Sequence, residues 1–195
     1  MNWDDWAFDF EEGLKNARAN KKPVLLQYHK DMCSGCKKLY AVTYPDPTVR
    51  QELFDWFAPV RLDILQNRRI RAKHNAVWTP SFYVLDYNGV VQDKFEGYLN
   101  PEDFRIMLRL ALVSWLIPRG QYRKAIEILE NAVDIFPDNP RTPQLLFRLG
   151  QALYLTERNN AEFREVMTEI RQRYPNSVEA RMWPWMEEKN NKPGA

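Results

Sequence analysis

The sequence predicts an α/β domain built on a mixed central sheet flanked by helices, followed by a small all-α domain. Short apolar runs typical of buried strands alternate with amphipathic helical segments over the first 117 residues. The turn signal "YNG" joins the last two strand runs as an antiparallel hairpin. Beyond Pro118 and Gly120 no strand pattern remains, and amphipathic helices fill the rest of the chain. We therefore predict domains over residues 1–117 and 118–195.

Each element of the first domain has its own signal. Acidic residues precede a helical pattern over Trp6–Asn20, and the apolar run "VLLQYH" after Pro23 predicts a strand leading to a helix at the two cysteines. The elements that follow are the helix "TVRQELFDWF" capped by Asp46 or Thr48, the strand "APVRLDI", the short helix "NRRIRAKHNAV", the strands "WTPSFYVLD" and "VVQDKFEGY", and the Asn100-capped helix "NPEDFRIMLRLALVSWL". Strands joined through helices and closed by a hairpin form a mixed sheet covered on both faces.

The second domain carries a weak internal repeat. Aligning "IFPDN" with "RYPNS" places Phe136 over Tyr174 and Pro137 over Pro175, 38 residues apart. The pattern resembles tetratricopeptide helix pairs, although its spacing exceeds the usual length of about 34 residues. A plain helical bundle packed on the first domain is the alternative.

Composition excludes several classes of function. The 28 basic and 26 acidic side chains leave a net charge of +2, so neither nucleic acid nor an anionic membrane is predicted as the main partner. The longest apolar stretch, "LALVSWLI", is too short for membrane insertion. The first residues lack the pattern of a secretory leader, so we expect a cytoplasmic protein, or a periplasmic one if a leader has been removed.

The stretch "HKDMCSGCKKLY" contains the two cysteines of the chain. Because Cys33 falls at the first turn of a helix, the N–H groups and dipole of that helix stabilise its thiolate, which predicts the nucleophile. Cys36, three residues further on, lies beside it within disulfide range and is the natural resolving thiol. The small Ser34 and Gly35 leave the first sulfur open to a bulky partner, and Lys37 adds positive potential.

Other interpretations of this region stay open at this point. The cysteines could be two inert core residues, or half of a metal site that needs two further ligands. His29 and His74 are the histidines available for such a site, which makes it a poor ligand set. The basic run "RRIRAK", Arg68–Lys73, reads as a solvated helix face, with nucleic-acid binding as the alternative.

From Trp6 to about Leu116 the chain resembles a thioredoxin-fold protein. The matching segments, in thioredoxin order, are "KPVLLQYHKDMCSGCKKL", "WTPSFYVLDYNG" and "FEGY". The segment "TYPDPTVRQEL" is similar to the thioredoxin-like branch that includes the C-terminal domain of the bacterial membrane thiol:disulfide interchange protein.

The resemblance implies a substrate groove beside the cysteines. It implies a cis peptide bond between Thr79 and Pro80, with the Thr79 backbone holding an extended partner segment by strand addition. Gly97 matches the glycine that keeps this groove open, and Trp78 and Met32 belong to the same substrate-binding set.

Two residues depart from the thioredoxin pattern. Gln27 stands where thioredoxins have a buried aspartate that takes the proton of the resolving cysteine, and glutamine cannot ionise. Met32 replaces the tryptophan next to the first cysteine, and its flexible side chain suits a different set of partners. Lys37 keeps its place beside the second cysteine.

We therefore predict a thiol–disulfide oxidoreductase that works through the Cys33–Cys36 dithiol without metal, flavin or nucleotide. Its expected partners are proteins with disulfides or thiols, together with a reductant or oxidant protein, and the helical domain is expected to dock or orient them. The competing prediction is a non-catalytic interaction adaptor on a thioredoxin fold, which the changes at Gln27 and Met32 favour.

Overall fold

The computed structural model describes residues 5–186, which form a four-stranded sheet with helices on both faces and a helical C-terminal region. The strands are β1 (Val24–His29), β2 (Ala58–Asp63), β3 (Ser81–Leu85) and β4 (Val91–Glu96). The helices are α1 (Phe10–Asn20), α2 (Ser34–Lys38), α3 (Pro47–Trp56), α4 (Arg68–Lys73), α5 (Pro101–Leu116), α6 (Tyr122–Ile135), α7 (Thr142–Glu157) and α8 (Asn160–Arg173).

The sheet has the strand order β2-β1-β3-β4, with β1 and β2 parallel and the other pairs antiparallel. All six residues of β1 are buried, as the uninterrupted apolar run predicts for a central strand. Leu25 belongs to the core that α3 and α5 cover, whereas Leu26 and Tyr28 belong to the core covered by α1. The predicted mixed sheet with helices on both faces is therefore confirmed.

The prediction for the first helix is wrong at its start. The chain pairs with β2 before the helix begins, because the Ala7 N–H donates to the Pro59 carbonyl at 3.0 Å and the Arg61 N–H donates to the Ala7 carbonyl at 2.9 Å. The helix begins at Phe10, where the Asp9 carboxylate accepts the Glu12 N–H at 2.9 Å as an N-cap. Backbone pairing with a distant strand thus overrides the helical spacing that begins at Trp6.

The C-terminal helices share a core with the sheet. Buried residues of α6, α7 and α8 belong to the same apolar cluster as Phe82 and Phe104. The two aligned ends lie in contact, since the Tyr174 hydroxyl donates to the Pro137 carbonyl at 2.6 Å. The boundary predicted after residue 117 falls at the 3₁₀ turn Ile117–Arg119, and the division into two domains and the tetratricopeptide-like repeat stay predictions.

A buried ion-pair network joins α3 to α5 behind the sheet. The Glu52 carboxylate accepts hydrogen bonds from Arg105 at 2.8 Å and from Arg109 at 2.7 Å. Arg109 is only 3% exposed. The Arg109 guanidinium lies 5.1 Å from the ring centroid of Trp56 and 5.3 Å from that of Phe136, at the end of α6. One carboxylate therefore binds two guanidinium groups at the junction between the sheet and the C-terminal helices.

His74 is held neutral on the opposite face of the sheet. The Tyr28 hydroxyl and His74 Nδ1 lie 2.8 Å apart, and the His74 ring stacks on Tyr83 with centroids 5.6 Å apart. Burial lowers the pKa of His74 below its usual value of 6.5. The unfolded chain therefore takes up a proton below about pH 6.5, whereas the folded protein does so only at lower pH.

We expect the free energy of unfolding to fall as pH drops below about 6.5 toward the folded pKa. His29, whose pKa burial also lowers, adds a contribution of the same sign. His74→Gln should make the decline shallower without abolishing it, because His29 remains as a second histidine whose pKa is lowered by burial. Urea denaturation followed at a series of pH values between 7.5 and 5 measures this effect. A decline as steep in His74→Gln as in the parent would contradict it.

Candidate active site

The two cysteines lie at the carboxyl end of β1, where the chain turns into α2. Cys33 is the N-cap residue of α2, with extended backbone angles, and the Cys36 N–H donates to Cys33 Sγ at 3.1 Å. Their sulfurs are paired as a disulfide, and their Cα atoms lie 5.2 Å apart. A donor pointed at Cys33 Sγ stabilises negative charge on that sulfur when the pair is reduced.

The two sulfurs differ in their access to solvent. Cys36 is 1% exposed and belongs to the protein interior, whereas Cys33 is half-buried at the surface. Ser34 and Lys37 are exposed on the same turn. A Cβ atom on Gly35 would lie 2.9 Å from Pro80 Cδ, so the glycine lets the cysteine turn pack closely on the proline. A partner molecule can therefore reach one sulfur and not the other.

Pro80 lies against the cysteine turn at the start of β3. The peptide bond between Thr79 and Pro80 is cis, and Pro80 is buried. The Pro80 carbonyl accepts the Gly97 N–H at 2.8 Å. Gly97 has φ +92°, a conformation that L side chains rarely adopt, and the space beside it is open. The backbone conformation thus gives a second reason for glycine here, besides the open groove that the resemblance implies.

A groove of about 490 Å³ runs beside Cys33. Its lining includes six residues of the predicted site, namely Met32, Cys33, Ser34, Gly35, Trp78 and Thr79. Two of the lining side chains are apolar and open to solvent, since Met32 is 80% exposed and Trp78 is 62% exposed. The structure adds Lys30, Ile64, Leu65, Arg71 and Val77, which the sequence interpretation missed. The adjacent apolar residues Val77 and Trp78 are the one local sequence signal that points to these additional lining residues.

Gln27 lies deep in the sheet rather than in the groove. It is fully buried, and its Oε1 accepts the Tyr44 hydroxyl at 2.8 Å. Burial raises the pKa of Tyr44 well above its usual value. Burial also raises the pKa of Tyr40, although a hydrogen bond with Gln27 lowers it in part. Both phenols therefore stay protonated at neutral pH. Gln27 thus belongs to a buried cluster of neutral polar groups, beside which the Arg61 guanidinium lies 4.9 Å from the Tyr40 ring centroid.

His29 is more buried than a loop residue. It ends β1 with 9% exposure, and burial and Arg61 lower its pKa, whereas Asp63 and Asp31 act in the opposite direction. Potential ligand atoms of His29, Asp31 and Asp63 lie within 4.8 Å of one another, so these three could hold a cation. The Asp63 Oδ1 already accepts the Leu65 N–H at 2.7 Å, and the charge of Arg61 opposes a cation there.

The two histidines cannot complete a site together with the cysteines. His74 is bonded to Tyr28, whose side chain leaves β1 on the face opposite to that of its neighbour His29. The sheet therefore separates the two imidazoles.

Across residues 5–186, no helix is long and apolar enough to cross a membrane.

The site combines a Cys-x-x-Cys pair at the start of a helix with a proline packed against it, beside a mixed four-stranded sheet. The family model "Thioredoxin-like domain" matches residues 10–112. The chain therefore belongs to the thioredoxin-like family, and the predicted fold is confirmed.

Two proteins with a similar sequence carry the same name. The thiol:disulfide interchange protein DsbD of Tatumella citrea is 30% identical over 110 residues, and that of Campylobacter jejuni strain RM1221 is 24% identical over 102 residues. These matches cover 52% and 51% of this chain, which spans about 18% of the length of each relative.

Two solved structures have a similar fold. The reduced C-terminal domain of DsbD from Neisseria meningitidis gives a TM-score of 0.46 at 20% identity, covering 52% of this chain and 92% of the domain. A thioredoxin from Thermus thermophilus gives a TM-score of 0.49 at 20% identity, covering 54% of this chain and 84% of the thioredoxin.

Proposed function

We propose that the protein exchanges disulfides with partner proteins, with Cys33 as the nucleophile and Cys36 as the resolving thiol. The observation that carries this assignment is the difference in access, since Cys33 opens on the groove while Cys36 is 1% exposed. A partner disulfide can reach Cys33 Sγ from the groove. Cys36 reacts only after the partner is attached, when it can attack Cys33 Sγ in the mixed disulfide.

The reaction balances within the two thiols and the partner. The Cys33 thiolate attacks one sulfur of the partner disulfide, whose S–S bond breaks, and the other partner sulfur leaves as a thiolate that takes a proton. Cys36, as thiolate, then attacks Cys33 Sγ and breaks the mixed disulfide, releasing the second partner thiol. The partner gains two electrons and the Cys33–Cys36 disulfide forms. The same steps run in reverse when the partner's potential is lower.

The groove supplies positioning for this reaction. Thr79 lines the groove next to the cis-proline, where its backbone would pair with an extended partner segment. Met32 and Trp78 offer exposed apolar contacts on either side of Cys33. Lys37, exposed one residue beyond Cys36, would stabilise the thiolates that form during the exchange.

The intrinsic dithiol carries both electrons, so the reaction needs no added metal, flavin or nucleotide. A second protein would then reduce or oxidise the dithiol between turnovers, and α6–α8 would help to orient one of the two partners. The cytoplasmic location, or a periplasmic one after removal of a leader, stays a prediction that fractionation of the native cells tests.

The second candidate function is that of a protein-interaction adaptor that does not catalyse disulfide exchange. Gln27 favours it, because a fully buried glutamine bonded to Tyr44 cannot take the proton of the resolving thiol. Release of the partner from the mixed disulfide would then depend on another proton acceptor.

Reduction of insulin disulfides by dithiothreitol separates the two candidates. We expect substoichiometric amounts of the parent protein to accelerate precipitation of the insulin B chain, with Ser34→Ala, which leaves both thiols intact, as a matched control. A folded parent that gives no acceleration, and whose heat stability does not change on oxidation, would refute the enzyme and favour the adaptor.

A further inference from the structure

The charge of the chain is unevenly distributed. The whole chain carries only +2, yet residues 64–85 contain four cations and no aspartate or glutamate. Three more lysines flank the cysteines. We call these side chains the basic rim: Lys30, Lys37, Lys38, Arg68, Arg69, Arg71 and Lys73. Basic side chains thus outnumber acidic ones near the reactive sulfur, with the exposed Asp31 as the acidic residue closest to Cys33 in the sequence.

The rim reaches the groove through Arg71. The Arg71 side chain lines the groove together with Cys33 and Thr79, and its Nη1 donates to the Ile64 carbonyl at 3.3 Å. The remaining α4 cations, Arg68, Arg69 and Lys73, are exposed around a neighbouring depression, where Glu11 is the one acidic lining residue. Positive charge is therefore continuous from the wall of the groove to the outer face of α4.

The charges of the rim are not neutralised within the described part of the chain, although Arg71 donates to the Ile64 carbonyl and Lys38 Nζ lies 4.5 Å from the Tyr98 ring centroid. Within residues 5–186 none of them forms an ion pair, whereas Arg105, Arg109 and Arg141 all do. No residue of α4 is buried, and Ile70 is its one side chain that packs against the hydrophobic core, so most of the helix surface is left to its cations. A solvated helix face with a purely structural role commonly mixes charges of both signs, and α4 does not.

We propose that the basic rim docks an acidic surface of the redox partner protein, next to the disulfide that Cys33 attacks. This inference rests on the proposed function and names the chemistry of its partner. Exposed charges mainly accelerate encounter rather than tighten the final complex, and the acceleration is lost as salt screens it. The apolar Met32 and Trp78 would contact residues close to the partner disulfide, with the acidic residues further out along α4.

The test uses three synthetic disulfide-linked peptide dimers that differ only in their flanking residues, which are glutamate, serine or lysine. The fully reduced protein is mixed with each peptide, and the second-order rate is measured at about 20 mM and about 500 mM salt. We expect the glutamate peptide to react about tenfold faster than the lysine peptide at low salt, with the ratio falling toward unity at high salt.

Charge reversal locates the effect. The double variant Arg68→Glu, Arg69→Glu should invert the preference, whereas Arg123→Glu, Lys124→Glu, which changes the same net charge on exposed positions of α6, should keep it. Rates are expressed relative to the serine peptide within each variant, and circular dichroism checks that each one is folded. Equal rates for the three peptides, or an equal response to both double variants, would overturn the inference while leaving the proposed function standing.

Two further results bear on the same proposal. If the reduced protein reduces none of the three peptides, the proposed function fails and the inference fails with it. If the peptides react equally, and the parent instead binds a single-stranded oligonucleotide or phosphatidylserine vesicles through Arg68 and Arg69, the rim serves a different class of partner and the inference is wrong.

Discussion

Cys33→Ser is expected to lower disulfide exchange to the uncatalysed background, because a serine hydroxyl stays protonated at neutral pH and does not attack sulfur. Cys36→Ser is expected to keep the first step and lose the second, since Cys33 remains at the groove while the resolving thiol is gone. It should therefore accumulate as a mixed disulfide, with one partner molecule bound per protein. Non-reducing electrophoresis and intact-mass measurement with insulin as partner follow both outcomes.

The same pair of variants identifies clients. Cys36→Ser expressed in the native host should retain proteins that dithiothreitol releases, and the Cys33→Ser, Cys36→Ser double variant is the matched control. Turnover by Cys36→Ser at the parent rate would contradict the assigned order of the thiols. Capture by Cys33→Ser instead of Cys36→Ser would reverse it.

Glu52→Ala is expected to destabilise the fold by about 3–5 kcal/mol, the range found when one partner of a buried ion pair is removed. Glu52 pairs with both Arg105 and Arg109, and Arg109 is only 3% exposed, so the substitution leaves positive charge buried without its counterion. The free energy of unfolding in urea, followed by circular dichroism, measures the loss.

Glu169→Ala is the matched control for this prediction. Glu169 pairs with Arg173 one turn away on α8, and both side chains are exposed. Exposed pairs of this kind contribute about 0–1 kcal/mol. If Glu52→Ala costs no more than Glu169→Ala, the network does not hold α3 and α5 together as the contacts indicate.

Most of the fold could be predicted because its signals are local. The apolar run of β1 marks a central strand, and Asp46 and Asn100 cap α3 and α5 as their positions indicate. The start of α1 could not be predicted, because Ala7 pairs with a strand more than fifty positions away along the sequence. Helical spacing at Trp6 carries no information about such a partner.

The candidate active site also contains residues that the sequence predicts and residues that it does not. Cys33, Cys36 and Pro80 carry motif signals, and the structure brings them together. Leu65 and Arg71 reach the groove from a separate segment, so nothing near the cysteines points to them. His29 is the last residue of β1, as the run "VLLQYH" predicts, but its burial and the effects of Arg61 and Asp63 on its pKa depend on the neighbouring strand β2.

The central claim is that Cys33 is the reactive thiol and Cys36 the protected one. The most direct measurement is brief alkylation of the fully reduced protein with iodoacetamide at about pH 6.5, followed by mass mapping of the modified residue. We expect Cys33 to be modified much faster than glutathione under the same conditions, and Cys36 to remain free. Equal modification of both cysteines, or a Cys33 rate no higher than that of glutathione, would contradict the account.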